Sequence, residues 1–165
     1  MQNLIIRIAQ ENEKIIADPK IGCLILSDLT SDEKAEKIIQ VIHKKNKLVL
    51  CESAEKFVKW HTDGFVLDLS KEQTPQKIVK LLRQRFAKAI IGVISRNRRH
   101  EAMLISECEP DFIIFKCWKD GLEQTAELLQ WYSELFLIQC AAQIEEKLDY
   151  SSLLCDFVII DDSMC

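Results

Sequence analysis

Four carboxylates, Asp28, Glu52, Asp68 and Asp161, each stand within two residues of the end of a short apolar run, and three further polar residues, Ser95, Arg96 and Lys116, lie at or beside the ends of two more. Acids gathered at the ends of parallel strands could hold a cation or push one another's pKa upward. Each alone also suits a helix cap or a solvent-facing position. Ser95, Arg96, Asn97, Arg98 and Arg99 could meet an anion at a helix start, where free amides add to the guanidinium charge. His43, His61 and His100 are far apart and no serine or cysteine nucleophile motif accompanies them, so a catalytic triad is not indicated.

The elements that must carry these residues follow from hydrophobic patterning. Apolar runs at Gly22–Leu26, Lys47–Leu50, Gly64–Leu67, Ala89–Ile94, Asp111–Phe115, Leu135–Ile138 and Phe157–Ile160 read as buried strands. Between them, Ser31–Lys45 carries Ala35, Ile38, Ile39 and Ile42 at helical spacing, with Asp32 and Glu33 in the first turn, where the helix dipole favours acids. Thr74 and Pro75 open a helix to Phe86, and Gly121–Glu134 repeats the pattern. The opening segment Leu4–Ile16 places Leu4, Ile5, Ile8, Ile15 and Ile16 as for a helix before the first strand. Strand ends recur every 16 to 27 residues, the period of a strand with one crossover helix. A parallel α/β sheet follows, and periodicity alone leaves an open sheet and a closed barrel both standing.

With 165 residues, 48% hydrophobic and 29% charged, the chain suits a single domain spanning 1–165. A net charge of −4 and a pI near 5.5 argue against nucleic-acid or membrane-surface partners, which need a concentrated basic face. No run reaches the ~18 apolar residues of a membrane span, and Met1–Ala9 does not read as a secretory leader; the expected location is cytoplasmic. The seven cysteines lie mostly in or beside apolar runs without a CxxC pair, as buried reduced thiols do.

Several segments resemble the thiamine phosphate synthase (TenI-like) family. Asp63-Gly64-Phe65-Val66-Leu67 is similar to that family's "ADGVHLGQ" strand, and Ile90-Ile91-Gly92-Val93-Ile94-Ser95 through His100-Glu101-Ala102 to its "IIGVSTHSxEEA" segment. Glu109–Phe115 resembles "GADYVxFG", Gly22–Asp28 "LYLITD" and Lys47–Glu52 "PLIIND". The resemblance implies a TIM-barrel-like (β/α) fold with ligands at the C-terminal strand ends. It also implies phosphorylated small molecules as ligands and magnesium as cofactor, with Glu52 and Glu72 as its acidic ligands.

The departures from the family pattern are as telling. Nothing between Asp28 and Lys47 supplies the second strand of that family, which predicts a deleted unit and a shortened or incomplete barrel of about seven strands. Val66 takes a histidine position, Asp68 a glycine, and Ala141-Ala142 the paired glycines of a phosphate cradle. Asp161-Asp162 would repel phosphate, since like charges at about 4 Å cost about 4 kcal/mol at an effective dielectric of 20. The expectation is a degenerate member without the condensation of pyrimidine pyrophosphate with thiazole phosphate. Two alternatives accompany it. One is an active magnesium-dependent transferase using Ser95 with Lys116 or Arg96 for phosphate groups; the other is a non-catalytic, homo-oligomeric interaction subunit whose open strand edge pairs with a partner.

Overall fold

In a computed structural model, which describes residues 3–165, the strand that closes the molecule is Asn3–Ile8 (β1). It runs parallel to Cys23–Leu26 (β2) on one side and to Phe157–Asp161 (β8) on the other. Between them come Leu48–Cys51 (β3), Gly64–Asp68 (β4), Ile90–Ser95 (β5), Phe112–Cys117 (β6) and Gln139–Ile144 (β7). All neighbours are parallel and the order is sequential, giving a closed eight-stranded barrel. The TIM-barrel-like fold is thus present, with one strand more than about seven. No unit is missing, because Gly22–Leu26 is the second strand rather than the first. Closure also leaves no free strand edge for a partner to extend.

Leu4–Ile16 forms not one helix but β1 and a short helix, Glu13–Ala17 (α1), capped by Asn12. The physical reason is two-sided burial. Ile5 packs inside the barrel while Ile6 and Ile8 pack outside against the helices, so the strand shows no polar alternation and its apolar positions mimic helical spacing.

The remaining helices are Asp32–Lys44 (α2), Ala54–Trp60 (α3), Pro75–Arg85 (α4), Arg99–Ser106 (α5) and Leu122–Leu135 (α6). Ser31 caps α2 by accepting the Lys34 amide at 3.4 Å, and Ala35, Ile38, Ile39 and Ile42 form its buried stripe. Pro75 opens α4, though Thr74 makes no side-chain cap. The seventh strand lies further along than its apolar run suggests. Leu135 ends α6, Leu137 is fully exposed, and the strand itself is Gln139–Ile144, built from small and polar residues. Only the β7–β8 connection lacks a helix.

Two apolar layers hold this arrangement. Ile5, Ile25, Leu50, Val66, Ile94, Phe112, Ile114, Ala141 and Ile159 fill the barrel, while the outward-facing positions pack beneath the helices. Each fully buried large aliphatic side chain stabilises by ~1.5–3 kcal/mol. Gly64 and Gly92 answer to close approach: a Cβ on Gly64 would lie 1.9 Å from the Ile90 carbonyl oxygen, and one on Gly92 2.5 Å from the Phe112 ring.

Candidate functional site

Side chains in a strand alternate between faces, so each interior strand position has a successor two residues nearer the C-terminal rim. After Ile5 comes Arg7, after Ile25 Ser27, after Leu50 Glu52 and after Val66 Asp68. Lys116 follows Ile114, Gln143 follows Ala141 and Asp161 follows Ile159. Seven of the eight strands therefore switch from apolar to polar near the C-terminal rim, in two staggered layers to which alternate strands contribute. Above this level opens a cavity of about 430 Å³ lined by Arg7, Asp28, Glu52, Asp68, Lys116, Gln143, Glu145 and Asp161, with Val66 and Ile94 as its apolar floor.

Two ion-pair networks organise it. Arg7 donates Nε to Glu52 Oε2 at 3.0 Å and Nη2 to Glu52 Oε1 at 2.9 Å. Its Nη1 reaches Asp161 Oδ1 at 3.2 Å, and Nη2 also reaches Ser27 Oγ at 3.2 Å. Such a fork-on-carboxylate pair fixes geometry as well as charge. The Glu52 hydrogen bond, strong enough to outweigh burial, holds the guanidinium well above its ordinary pKa. Glu52 Oε1 also accepts the Asp28 amide at 2.9 Å, tying the β2 loop to β3. Asp28 itself forms no ion pair among the described residues; burial first, then the neighbouring Glu52 charge, push its carboxyl above the usual range.

Across the mouth, Lys116 Nζ lies 2.7 Å from Asp68 Oδ2 and 3.8 Å from Glu145 Oε1. Asp68 Oδ1 accepts from the Ser70 amide and hydroxyl. Burial alone would raise the Asp68 carboxyl, but the hydrogen bonds from Lys116 and Ser70 prevail and hold it below its ordinary value. The Asn97 amide group donates to the Lys116 carbonyl at 2.9 Å, steadying the end of β6.

Of the residues singled out from sequence, Asp28, Glu52, Asp68, Lys116 and Asp161 meet here. Ser95 and Arg96 do not. Ser95 is buried, with its hydroxyl donating to the Arg96 carbonyl, while Arg96 is spent on the Ser70 carbonyl and on Glu101. Glu72 sits in the turn after β4, away from the cavity lining. Glu52 gives both oxygens to Arg7, and no group of three or more His, Cys, Asp or Glu side chains placed to hold a metal occurs among the described residues. Ala141 and Ala142 lie within β7 rather than in a loop, so they are no counterpart of a phosphate cradle. Asp162 begins a separate turn and lines a different cavity, leaving Asp161 alone at the mouth.

Arg7, Gln143 and Glu145 are site residues that apolar patterning does not reveal, because β1 is patterned like a helix and β7 is built from small residues; Ser27, just past β2, carries no signal of its own. The thiols lie elsewhere in character: all seven cysteines are free, and burial pushes Cys140 up to about 12 and Cys155 to about 11, which makes them poor nucleophiles at neutral pH. His43 pairs with Asp63 at 2.9 Å on the outside of the barrel. Trp118, just past β6, is about half exposed.

No family model matches the chain, and no curated protein matches its sequence. Solved structures share its architecture. Orotidine 5'-monophosphate decarboxylase from Sulfolobus solfataricus superposes with a TM-score of 0.69 at 8% identity, covering 99% of this chain and 89% of the other. For 3-keto-L-gulonate-6-phosphate decarboxylase from Vibrio cholerae the values are 0.64, 8%, 97% and 87%. KGPDC from Streptococcus mutans gives 0.62, 11%, 98% and 88%. The shared property is the fold. These neighbours overturn the resemblance to thiamine phosphate synthase: the matching strand segments reflect what parallel barrel strands have in common. No helix is long and apolar enough to cross a membrane among the described residues.

Proposed function

We propose that this barrel binds a small, polar, unphosphorylated organic molecule in its C-terminal mouth. The observation that supports this reading is the concerted switch to polar side chains on seven strands around one cavity. A barrel needing only a packed core gains nothing from placing five carboxylates, an arginine and a lysine where water is partly excluded, since desolvating charge is costly. Sites of other barrels lie at this same end.

The charge balance argues against a phosphate group. Five acids and two bases line the cavity, and both bases are already matched by carboxylates. None of the four glycines, Gly22, Gly64, Gly92 and Gly121, lies in the loops after β7 or β8, where a bare backbone could approach a phosphate. The names of two structural neighbours refer to phosphorylated molecules, and fold alone does not carry a substrate from one barrel to another.

Calorimetric titration tests the reading, with unphosphorylated sugars, hydroxy acids, keto acids and amines set beside their phosphorylated counterparts and inorganic phosphate. The expected result is saturable binding of an unphosphorylated compound, weakened about tenfold in Glu52→Gln or Asp68→Asn through loss of a charge-assisted hydrogen bond. Failure of every compound to bind folded protein, or binding that ignores both substitutions, would reject it.

A further inference from the structure

Lys116 is the single amine among the residues that line the mouth, and its side chain is only 26% exposed. We propose that Lys116 forms a Schiff base with small aldehydes or ketones bound in this cavity. The inference rests on the mouth being a ligand site and goes beyond it by naming the chemistry and the carbonyl class of ligand.

The geometry supplies both halves of the proton traffic. An ammonium must lose a proton before it can attack, and Asp68 Oδ2 at 2.7 Å with Glu145 Oε1 at 3.8 Å are the acceptors in place. As the ammonium turns toward a bound carbonyl it hands one proton to a carboxylate, leaving amine and carboxylic acid. The freed nitrogen pair then forms the N–C bond as the carbonyl π electrons move to oxygen. That oxygen takes the proton back from the carboxylic acid, giving a carbinolamine. The carbinolamine nitrogen, still protonated from the attack, returns a proton to the carboxylate. Protonation of the hydroxyl by the same acid breaks the C–O bond, releases water and leaves a protonated imine. No oxidant, reductant or further reactant is required.

The residue type fits this role better than a structural one. An arginine at this position could pair with carboxylates through a fork and would never deprotonate, whereas a lysine amine is available for covalent work when its surroundings favour the neutral form. Asn97 fixes the backbone beneath it, and Val66 and Ile94 offer an apolar floor to the carbon part of a ligand.

Reductive trapping decides the matter. The folded protein is incubated with glycolaldehyde and cyanoborohydride at neutral pH, digested, and each lysine's alkylation rate is read by mass spectrometry. Lys116 is expected to react about a hundredfold faster than the exposed lysines, the scale of positioned acid–base assistance. Asp68→Asn and Glu145→Gln provide the sharper readout. A merely accessible lysine released from an ion pair reacts faster, whereas a lysine served by those carboxylates reacts about tenfold more slowly. Lys116→Arg, which retains the charge, shows by circular dichroism and melting that the fold survives and by digestion that no other lysine takes over. Equal labelling of Lys116 and surface lysines, or acceleration in both carboxylate variants, overturns the inference. If binding measured by calorimetry still depends on Glu52 in that case, the ligand site stands and only its covalent chemistry falls.

Discussion

Arg7 on β1 and Glu52 just past the end of β3 face each other across β2 and meet through two parallel hydrogen bonds of 3.0 and 2.9 Å. Because β2 lies between them, the pair straps three strands together at the rim, and the Asp28 amide on the same carboxylate adds the β2 loop. Glu52→Ala should destabilise the protein by about 2 kcal/mol, combining loss of charged hydrogen bonds with partial solvent screening. Urea unfolding of the two proteins measures this, and an unchanged midpoint would show the strap to be idle.

Acid titration should distinguish the two aspartates of the mouth. Asp68 has a depressed folded pKa, so its contribution is present above the unfolded value of about 3.9 and fades as pH falls through the lower folded value. Wild type should therefore exceed Asp68→Asn by roughly 0.5–1 kcal/mol near neutrality, an exposed pair's worth, and the gap should close in strong acid. Asp28 behaves oppositely, since its folded pKa is raised. Asp28→Asn should gain a few tenths of a kcal/mol at neutral pH and gain nothing below about pH 3.9. Urea midpoints from about pH 2 to 7 test both signs.

Tyr132 and Ser106 share a buried hydrogen bond of 2.7 Å between α6 and α5, and burial pushes the phenol up to about 12. Tyr132→Phe strands the serine hydroxyl, at an expected cost of about 1–2 kcal/mol. Adding Ser106→Ala should recover part of that loss. A double-mutant cycle that came out strictly additive would contradict the pairing.

Gly64→Ala and Gly92→Ala both crowd the barrel wall, yet unequally. The Gly64 Cβ would collide with the backbone of Ile90, whereas that of Gly92 meets the Phe112 side chain, which can move. Gly64→Ala should cost about 3 kcal/mol or more and Gly92→Ala nearer the lower end of the ~1–3 kcal/mol range for overpacking. The ranking of thermal midpoints is the check.

Much of this architecture is visible in the residues themselves. The helix over Asp32–Lys44 and the strands β2 to β6 and β8 lie where apolar spacing puts them, give or take one or two residues at each end. The failures have physical causes. β1 is buried on both faces and so reads like a helix, and β7 is assembled from Cys140, Ala141 and Ala142, whose small side chains give a weaker signal than the exposed Leu135 and Leu137 before it. Arg7, Gln143 and Glu145 stand on or beside those two strands and share their weak signal. The carboxylates Asp28, Glu52, Asp68 and Asp161 are legible because each follows a strand whose burial is unmistakable, whereas Ser95 faces the opposite side of β5 from Ile94 and so lies away from the mouth.

Pairing of the first strand with the last, Asn3–Ile8 against Phe157–Asp161, has a consequence for synthesis. On a ribosome that releases about 5–20 residues per second, β1 emerges before the other seven strands but keeps one edge unsatisfied until β8 has followed. The Asp161 arm of the rim's arginine strap must wait as well, since that residue closes β8. The nascent protein therefore passes through an open, edge-bearing sheet, and its vulnerability to aggregation is concentrated in that interval rather than in the finished molecule.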